Sequence, residues 1–270
     1  MEKTPVMLPI LPSYSNSYHP SSDWASQLVA KQALWQTRQT AGHPVIEPVT
    51  TWTLNEWVVT ELQFDAPHLD REQVLAWLTV TDQSQLGEPI QREAMNLSRA
   101  VSAIAQRAKT LPATERDALG KEDLIHSYRL LTGNPVSEWN ELFRRTEAVP
   151  QVPTHQPAAP HALPILVEMA LDWFTTDSFA EMHPVEKASL FHLRMLDLQP
   201  FASHTNRLVR LLTSYYLLRD GLPPLMISAH NRQAYFDTLG FSFQMITQPG
   251  VELFARLLEQ TLDQWLEMTK

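Results

Sequence analysis

Gln199-Pro200-Phe201-Ala202-Ser203-His204-Thr205-Asn206-Arg207-Leu208-Val209-Arg210 is the most informative run in the chain. Upstream of it, His183-Pro184 opens a run in which Val185, Ala188, Phe191 and Met195 recur at helical spacing as far as Leu198. Proline at the first helical position gives up only an N–H that has no partner there. Downstream, Leu208, Leu211, Leu212, Tyr215 and Leu218 form the stripe of a second helix over 206–220, and Gly221 with Pro223-Pro224 supplies its stop signals. The stretch therefore reads as a short loop, 199–205, between two helices. Arg207 and Arg210 are three apart in the first turn of the second helix and share one face. Free backbone N–H groups and the positive end of the helix dipole lie at the same place, so the pair can make an anion site. The same two arginines can equally be surface ion pairs with their stems packed on neighbours. The residues alone leave both readings open.

Working outward, the chain reads as helices joined by proline-rich connections. Residues 1–22 carry Pro, Ser and Tyr without a period and read as a tail. A helix is expected over 23–40, capped by Asp23 or Ser22, with Gly42, Pro44 and Pro48 as breaks. Leu54, Trp57, Val58 and Leu62 mark a helix over 51–64 that ends before Pro67, and Asp70 caps another over 71–79. Ala94, Leu97, Val101 and Ile104 stripe a long helix over 89–109, and a further helix covers 122–131. Residues 133–161 hold five prolines and do not read as helix; 143–152 reads as extended, forming either a small hairpin or a plain connection. Helices return over 163–174 and over 251–268, the latter with Phe254, Leu257, Leu258, Thr261 and Trp265. Trp57, Trp77, Trp173 and Trp265 all fall on apolar faces, which assigns them to the core. The expected class is all-α with a small β-hairpin flap.

The 270 residues suffice for one large domain with a real core. A net charge of −9 argues against broad nucleic-acid binding, which needs a basic face, but leaves room for one nucleotide in a local basic pocket. With no cysteine there is no disulfide, thiolate zinc site or thiol nucleophile, which fits a reducing cytoplasm, the expected location. No apolar run has the length of a membrane span, and the N-terminus lacks the apolar stretch of a signal peptide. Seven glycines, none spaced as GxGxxG or GxxxxGK[ST], remove the dinucleotide and P-loop readings; HExxH and GxSxG are missing too.

With its flanks in place, the stretch resembles the signature of the Fic (filamentation-induced-by-cAMP), or Fido, family, HPFx[D/E]GNGRxxR. Pro200-Phe201 and Arg207-x-x-Arg210 fall at matching positions with no gap. His183–Ala188, His192, Leu217–Leu225, Arg232 and Tyr235 resemble the segments on either side, and Leu69–Val74 resembles the junction after the family's N-terminal inhibitory helix. The resemblance covers about 24–240. It implies an N-terminal tail at 1–22, an inhibitory-helix-like extension at 23–88, a Fic-like core at 89–240 and a C-terminal helix at 241–270 packed on the core. It also implies that 143–152 is a flap that docks a target peptide by strand addition.

The family's chemistry carries over in part. The base position, a histidine in the signature, is Gln199, and an amide has no useful basicity. The acidic position that helps hold Mg²⁺ is Ser203, a poor ligand, so no metal site is expected. The glycine positions are His204 and Asn206, with Thr205 where the signature has asparagine. Arg207 and Arg210, with Thr205 and Asn206, remain as candidate phosphate ligands, and His204 is a candidate substitute base displaced by five residues. The family's inhibitory motif, [S/T]xxxE[G/N], aligns its serine with Glu61, its glutamate with Asp65 and its glycine with Ala66; Asp65 is then expected to reach Arg210. The leading expectation is a catalytically impaired pseudoenzyme that binds a nucleotide, a protein partner along the flap, or both. It requires no cofactor, with ATP and Mg²⁺ as its possible ligand. The alternatives are an active protein adenylyltransferase with a non-standard base, and a helical interaction module that binds no nucleotide.

Overall fold

The computed structural model describes residues 24–42, 46–80, 87–110 and 118–270. The tail at 1–22, the cap read at Asp23 or Ser22, and Pro44 lie outside these residues. The order is α1 (Trp24–Thr40), α2 (Ile46–Asp65), α3 (Arg71–Leu78), α4 (Pro89–Thr110), α5 (Lys121–Thr132), α6 (Leu163–Phe174), α7 (Asp177–Ala180), α8 (Pro184–Leu198), α9 (Thr205–Arg219), α10 (Arg232–Ser242) and α11 (Gln248–Met268). Among the described residues there is no sheet, and the all-α class expected from the sequence holds.

The inner pair is α8 and α9, which lie against each other. On α8 the buried set runs from Val185 through Ala188, Phe191 and Met195 to Leu198 and includes residues on every side; on α9 it is continuous from Arg207 to Leu217. A helix buried all round is a core helix, and the others wrap it. α4 packs on α9, α5 and α2, while α11 packs on α1, α8 and α10. Pro184 stands at the first turn of α8, where His183 Nδ1 accepts from the Val185 N–H and the Glu186 carboxylate accepts from the His183 N–H. Asp70 caps α3 by accepting from the Gln73 N–H at 3.0 Å.

α9 ends in a Schellman turn: the Leu222 N–H donates to Leu217 C=O and the Gly221 N–H to Leu218 C=O, with Gly221 at φ 75°. A Cβ there would meet the ends of the Gln36 and Gln32 side chains, at 3.4 and 3.8 Å, so the constraint is the backbone and not space. Gly221→Ala should therefore cost about 1 kcal/mol in chemical denaturation through the left-handed conformation alone. An unchanged midpoint would mean that α9 can end in another way.

Three expectations are corrected. The helix read over 51–64 begins at Ile46, so Pro48 lies in its first turn, where proline is tolerated, instead of breaking the chain. The 143–152 segment forms no hairpin: Phe143 makes a single antiparallel bridge to Phe201, and Pro150 and Pro153 remove N–H groups a ladder would use. Helix α10, which buries Tyr235, Leu239 and Ser242, was not expected at all. Among the described residues no helix is long and apolar enough to cross a membrane.

Candidate phosphate-binding pocket at the α8–α9 loop

The 199–204 loop is held between two residues in left-handed conformation. Gln199 (φ 44°, ψ 60°) caps α8 and His204 (φ 56°, ψ 21°) precedes α9. His204 takes the place of a glycine in the signature and adopts a glycine-like backbone, a strain of order 1 kcal/mol that the packed surroundings must hold. Buried Arg144 fixes the loop from outside: its Nε donates to Gln199 C=O at 2.7 Å and its Nη1 to Thr146 C=O at 2.8 Å. Its backbone N–H donates to Pro200 C=O at 3.0 Å, and the Ala202 N–H donates to Leu142 C=O at 2.8 Å. Inside, the Thr205 hydroxyl donates to Phe201 C=O at 3.1 Å, and the Ser203 hydroxyl bonds the Tyr128 phenol at 3.0 Å. The Gln151 amide donates to the Asn206 side-chain oxygen, so the segment after the bridge reaches over the start of α9.

Both arginines are buried, and carboxylates surround them. Arg210 is fully buried and its Nε and Nη2 meet Glu61 at 2.8 Å; Asp65 lies 3.6 Å from Nη2. Its guanidinium also stacks on Phe64, 4.1 Å from the ring centre. Arg207 bonds Asp65 through Nη2 at 2.7 Å and Glu93 through Nη1. Asp65 and Glu61, the two carboxylates the sequence offers to Arg210, both reach it, Glu61 at 2.8 Å and Asp65 at 3.6 Å. One turn along α2, from 61 to 65, matches one turn back along α9, from 210 to 207, so each carboxylate sits level with a different arginine.

Behind Arg210 a polar chain crosses the core. The Thr213 hydroxyl donates to Val209 C=O, so it accepts from His192 Nδ1–H at 2.9 Å; His192 Nε2 then accepts the Tyr235 O–H at 2.8 Å. Burial, helped by Arg210, lowers the His192 pKa to about 3, so this imidazole stays neutral. Burial also holds the Tyr235 phenol above its usual range, and it pushes the Glu61 carboxyl up against the pull of Arg210 and Arg207.

A pocket of about 520 Å³ opens at the start of α9, lined by Asp65, Glu93, Gln199, Ser203, His204, Thr205, Asn206 and Arg207, with Arg144 to one side. The candidates read from the sequence are thus brought together, except that Arg210 and Glu61 lie beneath the pocket as a buried pair. Glu93, Tyr128, Arg144 and Gln151 were missed. Glu93 stands on a helix read for its apolar stripe and Tyr128 on one read only for its extent, and Arg144 and Gln151 fall in the segment read as a hairpin or a connection. His204 keeps exposed surface at the pocket mouth, while desolvation of its inner edge and then Arg207 hold its imidazole below the usual range. It is a neutral proton acceptor at neutral pH. Ser203 is engaged with Tyr128, and no group of three His, Asp or Glu among the described residues is placed to hold a metal ion.

The Fic/DOC family profile matches residues 118–217, which include the loop and most of α9. A protein adenylyltransferase Fic from Culex quinquefasciatus is 31% identical over 155 residues, 57% of this chain and 31% of its own length. One from Nematostella vectensis is 29% identical over 148 residues, 55% of this chain and 34% of its own length. The chain thus spans about a third of the length of the curated relatives it matches. In three dimensions it is similar to residues 134–508 of Fic-1 from C. elegans, with TM-score 0.71, 20% identity, and 90% and 71% of the two chains covered. It is also similar to a Fic domain-containing signaling protein from Bacteroides thetaiotaomicron, with TM-score 0.75, 18% identity, and 91% and 96% covered.

Proposed function

We propose that residues 118–217, which match the Fic/DOC family, form a Fic domain, that the pocket at the start of α9 binds the phosphates of ATP, and that the chain transfers AMP to a protein hydroxyl. One observation carries the proposal: Arg207, its side chain 6% exposed, sits at a helix N-terminus on the wall of an open pocket, and both of its outer nitrogens hold carboxylates. A buried cation already bonded to anionic oxygens, beside free backbone N–H groups, is a site for phosphate oxygens. The relatives named as adenylyltransferases favour this reading over the impaired one expected from the sequence.

In such a transfer the acceptor hydroxyl oxygen attacks the α-phosphorus, the bond to the bridging oxygen breaks, and pyrophosphate leaves. The hydroxyl proton needs an acceptor. Gln199 cannot take it. His204, neutral and at the pocket mouth, can. The acceptor protein would lie along 143–152, the segment that reaches over the pocket through Gln151.

The test is ATP labelled on its α-phosphate, incubated with the protein and a cell extract. Label should move to protein; Arg207→Ala should abolish it, and His204→Ala should slow it roughly a hundredfold, as loss of a general base does. A second reading, binding without transfer, is favoured by the amide of Gln199 at the base position. It is the correct one if the protein retains ATP but label never moves, including in Asp65→Asn.

A further inference from the structure

Glu93 belongs neither to the 199–210 stretch nor to α2. It stands in the second turn of α4, and its carboxylate bonds Nη1 of Arg207 while Asp65, from α2, takes Nη2 at 2.7 Å. Two helices thus present one carboxylate each to the two outer nitrogens of a single guanidinium. Arg207 is the buried wall of the pocket; Glu93 and Asp65, at 32% and 46% side-chain exposure, are its rim. We infer that Glu93 is a second gate on this pocket: a phosphate ligand must displace carboxylates from both α2 and α4, and releasing Asp65 alone leaves the site half closed. This rests on the reading of the pocket as a phosphate site.

The physical case is one of geometry and sign. A phosphate bonds arginine best through two parallel N–H···O contacts; Nε of Arg207 is buried, so here the two outer nitrogens are the fork an incoming anion can use. If only Asp65 turns away, the incoming anion has one nitrogen and lies beside the charge of Glu93. If only Glu93 turns away, Asp65 does the same. Both carboxylates keep solvent on one side, so each can swing outward at modest cost, as exposed ion pairs do. The buried pair of Glu61 with Arg210 beneath has no such freedom and takes no part in opening. The two gates should therefore be coupled, each masking part of the effect of the other.

Calorimetric titration with ATP, and with inorganic tripolyphosphate as a probe without a base, tests this on four proteins: the unmodified chain, Glu93→Gln, Asp65→Asn and the double variant. Each single substitution should tighten binding of both probes by about tenfold or less, and the double by more than the product of the two. Glu93→Asp, with the same charge on a stem one methylene shorter, should fall between the unmodified chain and Glu93→Gln, which separates reach from charge. Unfolding curves of every variant are run alongside, and Glu93→Ala serves if Glu93→Gln does not fold. If Asp65→Asn tightens binding while no Glu93 variant does, Glu93 is an ordinary ion pair and the inference is overturned while the phosphate reading stands. If the double variant binds neither probe, the phosphate reading fails and this inference falls with it.

Discussion

Glu61→Ala should destabilise the protein by about 3–5 kcal/mol, because it leaves a fully buried guanidinium without its counter-charge. Arg210 is 0% and Glu61 1% exposed, and their contact is 2.8 Å. Asp65 lies 3.6 Å from Arg210 but is bonded to Arg207, so it is badly placed to take over. The cost comes from desolvating an unpaired charge, not from the intrinsic strength of the pair. Replacing both members by apolar side chains, Glu61→Leu with Arg210→Met, should therefore recover most of the loss. Urea unfolding of the two single variants and the double decides it. A Glu61→Ala protein as stable as the unmodified one would mean that water or another anion reaches Arg210, contrary to its burial.

The second large effect is on pH. His192 is neutral when folded, with its pKa lowered to about 3, against an ordinary value of 6.5 when unfolded. Below 6.5 the unfolded chain takes up a proton that the folded chain refuses, so stability falls as the pH falls, by up to about 1.4 kcal/mol per unit until about pH 3. His183 and His204 shift in the same direction but keep solvent contact, so their share is smaller. Glu61 works with the opposite sign, since a carboxyl raised by burial favours the folded state as it protonates. Comparison with His192→Gln isolates the histidine: its unfolding free energy, plotted from pH 7 to 4, should be flatter than that of the unmodified protein. Parallel curves would show that His192 is charged in the fold, with the Tyr235 and Thr213 bonds rearranged.

The inner helical pair and the loop between its members are legible from local signals in the chain. Pro184 at the start of α8 and Gly221 past the end of α9 are local signals, since each acts through its own backbone. The apolar stripes of α4 and α11 were legible for a similar reason: a 3.6-residue period is a property of one segment. The two arginines and the departures at Gln199 and Ser203 were likewise readable, because spacing in a first turn fixes which side chains share a face.

What surrounds those arginines depends on how distant helices pack. Glu61 and Asp65 are one turn apart on α2, and no local rule says which of them meets Arg210; the way α2 lies along α9 does. Glu93 is 114 residues from Arg207 and sits on a helix that reads as a plain amphipathic span. The unseen α10 and the bridge of Phe143 to Phe201 have the same origin. Their patterns are weak in the chain, and they form because packed neighbours supply burial and hydrogen bonds that the segments alone do not have. Local order is written in short-range periodicity and caps, whereas the charge of a buried site depends on which distant helices are brought against it.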